Sequence, residues 1–242
     1  MAKLATTIAR QIDQFPDDVS FGYTQLAIAK EDYLTAAKAL ERLQKKGVVK
    51  KLAKGIFYKP KQTVFGEKKP DEQQRLKPYL YRNGRRTAYI TGDYLYNQLG
   101  LTTQIPAVIK IASRDRRIYI DTETLKATAV KSYVDVTDEN YELLGFLDAL
   151  KDVKLIPDVS IRNALAMFKG RISELKPAQR QAIIDFALAY PPRVRALLGA
   201  ILSDLKLKTG VNQLKESLNP LTAFDFGIDD TVLPTVSDWN IR

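Results

Sequence analysis

Tyr33-Leu34-Thr35-Ala36-Ala37-Lys38-Ala39-Leu40-Glu41-Arg42-Leu43-Gln44-Lys45-Lys46-Gly47-Val48-Val49-Lys50-Lys51-Leu52-Ala53-Lys54-Gly55-Ile56-Phe57-Tyr58 changes its hydrophobic period once, at Gly47. Before the glycine, Leu34, Ala37, Leu40 and Leu43 keep the three-or-four spacing of a helix face. A helix is expected from about Glu31 to Lys46. Lys45 and Lys46 fall in its last turn, where cations suit the helix dipole, and Gly47 follows as a C-cap. After the glycine, Val48–Leu52 and Ile56–Tyr58 read as strands. Ala53-Lys54-Gly55 between them makes a tight turn in which Gly55 can take a positive φ.

Upstream, Leu4, Ile8 and Ile12 mark an amphipathic helix that Pro16-Asp17 ends. Ser20-Phe21-Gly22-Tyr23-Thr24 follows, with Thr24 as the expected N-cap of a short helix through Leu26, Ala27 and Ile28. Three helices, a strand, a turn and a strand within about sixty residues is the layout of a winged helix-turn-helix.

Charge concentrates on the same stretch. The chain of 242 residues has a net charge of +10 and a pI near 9.5, a balance that favours polyanionic partners. Between Lys38 and Lys61 nine cations (Lys38, Arg42, Lys45, Lys46, Lys50, Lys51, Lys54, Lys59, Lys61) face one acid, Glu41, which leaves +8. An isolated charge run is most simply a solvated helix face. Set on a helix and a wing, it fits the regular phosphate charge of double-stranded DNA. Lys38, Arg42 and Lys45 share one helix face. The non-core positions of the N-terminal half, where such a helix reads bases, are taken as Tyr33, Thr35, Ala36, Lys38, Ala39 and Arg42. Arg42 or Lys38 can reach guanine edges, and Thr35 a thymine methyl or a phosphate. Lys45, Lys46, Lys50, Lys51 and Lys54 are expected on phosphates.

The remainder predicts an α+β protein: the winged helix-turn-helix at 1–60, a linker or charged connecting helix at 61–80, and a second domain at 81–242. That domain comprises a small mixed sheet with one helix at about 85–135, helices at about 138–218 and an extended acidic tail at 219–242. Thr87–Ile90, Ala107–Ala112, Ile118–Ile120 and Ala127–Val134 are the strand candidates, and Gly92-Asp93 can cap a helix from Tyr94 to Leu99. Tyr141–Leu150 and the segments around Ile161–Phe168, Ile183–Ala187 and Val194–Leu205 carry helical patterns, the last two after Pro177 and Pro191-Pro192. In the tail, Phe224, Phe226, Leu233 and Trp239 are isolated anchors for a chain draped over the domain.

Cysteine and histidine are both absent, which removes disulfides, thiolate catalysis, Ser-His-Asp triads and imidazole metal sites. The acidic residues Asp71-Glu72, Asp135, Asp138-Glu139 and Asp229-Asp230 sit among turn-forming or polar neighbours and read as solvated surface. Gly84-Arg85-Arg86 lacks the lysine-serine ending of a phosphate-binding loop. Arg114-Asp115-Arg116-Arg117 reads as an exposed turn. Tyr89, Tyr94, Tyr96 and Tyr119 could stack on bases but read as core or half-buried sheet positions. No cofactor and no metal are expected. No apolar run has membrane-spanning length, and a cytoplasmic protein without enzymatic activity is expected.

The stretch Leu34 to Tyr58, with Ala37-Lys38-Ala39-Leu40-Glu41-Arg42-Leu43, Lys46-Gly47 and Leu52-Ala53-Lys54-Gly55-Ile56-Phe57-Tyr58, resembles the winged-helix start of the AbiEi-type antitoxins. Thr91-Gly92 followed by Asn97-Gln98-Leu99-Gly100-Leu101-Thr102-Thr103-Gln104-Ile105-Pro106 resembles that family's second signature. The two cover about the first half of the chain. The resemblance implies an antitoxin of a bacterial type IV toxin–antitoxin (abortive infection) system. It would repress its own promoter through the winged helix and counteract a nucleotidyltransferase-like toxin without a stable complex. Lys38, Arg42, Lys50, Lys51 and Lys54 would then contact the promoter. For Gly100–Pro106 a buried turn packing helix on sheet is the simpler role. Palindromic or repeated promoter sites would call for two copies. Two other classes stay open: a winged helix serving as a protein–protein module, and a nuclease or transferase using only carboxylates and lysines.

Overall fold

The computed structural model describes every residue except Met1, Thr24, Ala27, Lys54, Val64, Phe65, Lys69, Glu123, Thr124 and Thr209. The chain forms two compact units, Met1–Arg85 and Arg86–Arg242.

In the first unit, α1 (Ala2–Gln14) buries Ile8 and Ile12 completely, as the four-residue spacing requires. The next segment departs from expectation. Ser20–Gly22 is a strand, β1, and Lys30–Asp32 a single 3-10 turn; the short helix expected at 24–28 does not form among the described residues, and its cap Thr24 lies outside them. Five residues hold too few backbone hydrogen bonds to nucleate a helix. Competing with them, Phe21 stacks on Phe15 at 4.8 Å, and Gln25 Oε1 accepts the Gly22 N–H at 2.9 Å.

Helix α2 (Tyr33–Lys45) packs on α1. It ends as its sequence dictates. Gly47, at φ +73°, donates its N–H to Gln44 O at 2.9 Å, and Val48 donates to Leu43 O at 3.0 Å, the paired bonds of a Schellman cap. β2 (Lys50–Ala53) and β3 (Ile56–Tyr58) follow, with Gly55 at φ +75° in the turn, and the antiparallel sheet runs β1-β3-β2. β3 is central and buries Phe57 and Tyr58; β1 and β2 are the two edges.

Residues 61–80, expected as a linker or charged connecting helix, hold two short strands and a helix. β4 (Lys61–Thr63) pairs antiparallel with β5 (Gly66–Lys68), and α3 (Glu72–Leu80) lies against β1 with Leu76 and Leu80 buried. Asp71 caps α3, its carboxylate accepting the Gln74 N–H at 2.8 Å. β6 (Tyr81–Arg82) pairs with β7 (Arg85–Arg86), and the first unit runs to Arg85, beyond the expected bound at residue 60. The small share of apolar residues at 59–78 hid this, because three-residue polar strands leave no alternation to read.

In the second unit β8 (Ala88–Thr91), α4 (Asp93–Gln98), β9 (Ile109–Ser113), β10 (Ile120–Thr122) and β11 (Leu125–Lys131) form the expected mixed sheet with one helix. Strand order is β10-β11-β9-β8, with β9 and β11 parallel and the other pairs antiparallel. Helices α5 (Tyr141–Lys151), α6 (Ile161–Glu174), α7 (Pro177–Ala187), α8 (Pro192–Asp204) and α9 (Val211–Glu216) supply the main core together with Tyr89, Tyr96 and Ala112. α5 and α8 are apolar nearly all round and each is buried over eight positions, as such helices must be.

The tail behaves as its isolated apolar residues suggest. Phe226, Leu233 and Trp239 are buried, and Phe224 bridges Ile241, with Phe224 N–H donating to Asn240 O at 2.7 Å. Trp239 packs against α8 at Gly199, where an added Cβ would clash with the indole ring. Gly199→Ala is expected to destabilise the protein by about 1–3 kcal/mol through overpacking, read as a lower urea midpoint at unchanged slope. An unchanged midpoint would refute this packing.

Candidate nucleic-acid interface

The buried stripe of α2 comprises Ala36, Ala39 and Leu40, with Leu43 half-buried. This corrects the sequence reading on three residues. Ala36 and Ala39 are core, not groove-facing, and Leu34 is 81% exposed rather than core. The repeat of 34, 37, 40 and 43 advances by three, so it drifts around a helix of 3.6 residues per turn. The sheet and α1 select which part of that drift is covered.

The outward face therefore carries Leu34, Lys38, Glu41, Arg42 and Lys45, all exposed, with Lys46 exposed just beyond. Lys45 Nζ lies 2.9 Å from Glu41 Oε1, and this contact, by hydrogen bond and charge, holds the Glu41 carboxyl below its ordinary value. The one acid of the face is thereby paired with a cation four residues on. Thr35 is half-buried on the flank. Tyr33 is engaged within the unit, its ring stacked on Tyr23 at 5.1 Å. Tyr23 in turn meets Phe57 edge-on at 6.1 Å, so Tyr33 ties α2 to β3.

On the edge strand β2, Lys50 and Lys51 are exposed opposite the buried Tyr58 and Phe57. A bulge between Lys51 and Ala53 interrupts the register. Exposed lysines on an edge strand also discourage pairing with other chains. Lys54 lies outside the described residues. Lys59 points elsewhere: its ammonium lies 3.2 Å from Asp17 and 3.4 Å from the Asp13 carbonyl. The residues brought together are thus Lys38, Arg42, Lys45 and Lys46 on and just past one helix, and Lys50 and Lys51 on the strand that follows it.

Four of the acidic residues have partners within the protein. Asp71 caps α3, Asp138 binds Arg86 at 2.8 Å, Asp135 lies 3.7 Å from Arg114, and Asp229 accepts from the Thr231 and Val232 N–H groups at 3.0 and 3.2 Å. Among the described residues no group of three or more acidic side chains converges as a cation site. Arg114–Arg117 form an exposed turn, as expected. In the Gly100–Pro106 segment Leu101 and Thr102 are buried, Asn97 Nδ2 donates to Thr102 O at 3.1 Å, and Thr103 to Ile105 are exposed.

A buried polar cluster went unnoticed in the sequence. Asp148, on the fully buried run of α5, accepts from Tyr89 Oη at 2.8 Å and Thr91 Oγ1 at 2.7 Å, and Lys151 Nζ lies 3.4 Å away. Tyr96 Oη donates to Asp152 at 2.8 Å, and Tyr190 Oη donates to Leu144 O at 3.1 Å. Burial pushes the Asp148 carboxyl above its ordinary value and pushes the three phenols up, so the tyrosines remain donors. The available signal was a lone carboxylate inside Leu143–Leu150, where every neighbour is apolar. Tyr89 and Tyr96 are core and Tyr94 half-buried, as expected, whereas Tyr119 is 66% exposed.

These features define an α+β protein whose first unit joins a basic helix face to a basic hairpin edge. Residues 19–166 match the family of unknown function designated DUF6088, and the chain belongs to that family. No curated protein matches. The crystal structure of the Rv2827c protein from Mycobacterium tuberculosis is similar over 91% of this chain and 83% of its own, with a TM-score of 0.51 and 11% identity, a likeness of fold. Among the described residues no helix is long and apolar enough to cross a membrane.

Proposed function

We propose that this protein binds double-stranded DNA through its first unit, read as a winged helix-turn-helix, and represses its own promoter by occupancy. α2 lies in the major groove and the β2–β3 hairpin is the wing on flanking phosphates. The observation that carries this reading is the joint exposure of Lys38, Arg42, Lys45 and Lys46 on and just past a helix and of Lys50 and Lys51 on the strand that follows it, with Glu41 paired to Lys45. The resemblance of Leu34–Tyr58 and Thr91–Pro106 to AbiEi-type antitoxins extends the proposal. The second unit then counteracts a nucleotidyltransferase-like toxin without a stable complex, in a cytoplasmic phage-defence system, and the protein itself is no enzyme.

The test is a gel-shift titration against the duplex immediately upstream of the protein's own gene, at two salt concentrations, with scrambled competitor. Retardation that survives the competitor is expected. Retardation that the competitor abolishes would reduce the basic face to a polyanion surface and favour a protein partner docking on the second unit. The antitoxin role is checked by co-expression with the adjacent gene, where relief of growth arrest is expected.

A further inference from the structure

The first turn of α2 presents an apolar side chain to solvent. Leu34 is 81% exposed, four residues before Lys38, whose side chain shares its face, with Lys45 seven residues beyond Lys38. A single exposed leucine is ordinary on a protein surface. This one, however, sits at the N-terminal end of the helix whose later turns carry Lys38, Arg42 and Lys45. An apolar protein partner would have to bury that cationic face along with Leu34. A polyanion would be drawn to it. Tyr33 is stacked on Tyr23, so its ring is committed to the unit itself.

A helix entering the major groove reads bases with its N-terminal residues and touches backbone with its flanks. The apolar group that B-DNA displays there is the thymine C5-methyl. We propose that Leu34 is a specificity-determining residue that packs on a thymine methyl while the cations beyond it position the helix on phosphates. This rests on the DNA-binding reading above and assigns to Leu34 the methyl contact that the sequence suggested for Thr35. Removing one such methyl from the interface weakens binding about fourfold, the equivalent of one exposed methyl group.

The experiment uses the full chain and the tightest duplex it enriches from a random-sequence pool, synthesised once with thymine and once with deoxyuridine, which lacks only the methyl. Wild type is expected to bind the deoxyuridine duplex about fourfold more weakly per contacted methyl. L34A is expected to bind the thymine duplex with the same deficit and not to distinguish the two duplexes. Leu34 is exposed, so an unchanged thermal melt of L34A is also expected. If L34A loses nothing, or loses equally on both duplexes, the methyl assignment is overturned while DNA binding stands. If the pool yields no enriched duplex, sequence-specific DNA binding falls, and the assignment with it.

Discussion

Replacing Lys50 and Lys51 together with glutamate is expected to weaken DNA binding on the order of a hundredfold at low salt, and to do so on every sequence. Both side chains are exposed on an edge strand. Every phosphate that a lysine no longer neutralises takes about 0.9 off the slope of log affinity against log salt, so the double variant should be shallower by about 1.8. The ratio of specific to scrambled binding should hardly move, because phosphate contacts position the protein without reading sequence. A variant that keeps the wild-type salt slope would exclude the hairpin as a wing. A changed slope with a thermal melt far below wild type would point to damage in the sheet instead.

Asp148→Ala should be the most destabilising single substitution in the second unit, at about 3–5 kcal/mol. It removes the acceptor for two buried hydroxyls, Tyr89 Oη and Thr91 Oγ1, and the nearest carboxylate of Lys151. Asp148→Asn keeps an acceptor and the shape, and should cost about 1–2 kcal/mol. The pair also has a pH signature. Burial holds the Asp148 carboxyl above 3.8 in the folded state. As pH rises past that value, the unfolded chain loses the proton before the native one does, so native stability declines. The advantage of wild type over Asp148→Asn, measured by urea unfolding, is therefore greatest below pH 3.8 and shrinks toward neutrality. An advantage that grows with pH would show that the Lys151 contact outweighs burial.

Much of the architecture was legible because local rules and tertiary needs agree. Gly47 and Gly55 stand where the chain must turn with positive φ, Pro177 and Pro192 open helices, and Ile8 and Ile12 sit four apart on a face that is buried. The mixed sheet with its single helix was readable because Gly92 and Gly100 bracket α4 and apolar strands flank it. Where agreement failed, the local signal was weak. The segment 24–28 suggested a helix from one cap and three apolar side chains, and its described residues, Gln25, Leu26 and Ile28, form none. The polar stretch at 59–78 gave no period, although it contains a hairpin and a capped helix.

The candidate site divides the same way. Sequence alone determined the basic charge of α2 and the hairpin, their adjacency along the chain, and the absence of imidazole and thiol chemistry, because these are properties of composition and order. Only the tertiary structure decided which side chains face outward. A three-residue apolar repeat drifts around the helix, so periodicity could not say whether Leu34 or Ala36 belongs to the core. Packing against α1 and the sheet buried Ala36, Ala39 and Leu40 and left Leu34 in solvent. Folding likewise turned Lys59 toward Asp17, away from the basic face, and enclosed Asp148 beside Tyr89 of a distant strand and Tyr96 of a distant helix. Such contacts join residues tens of positions apart, a distance that no local pattern of side chains encodes.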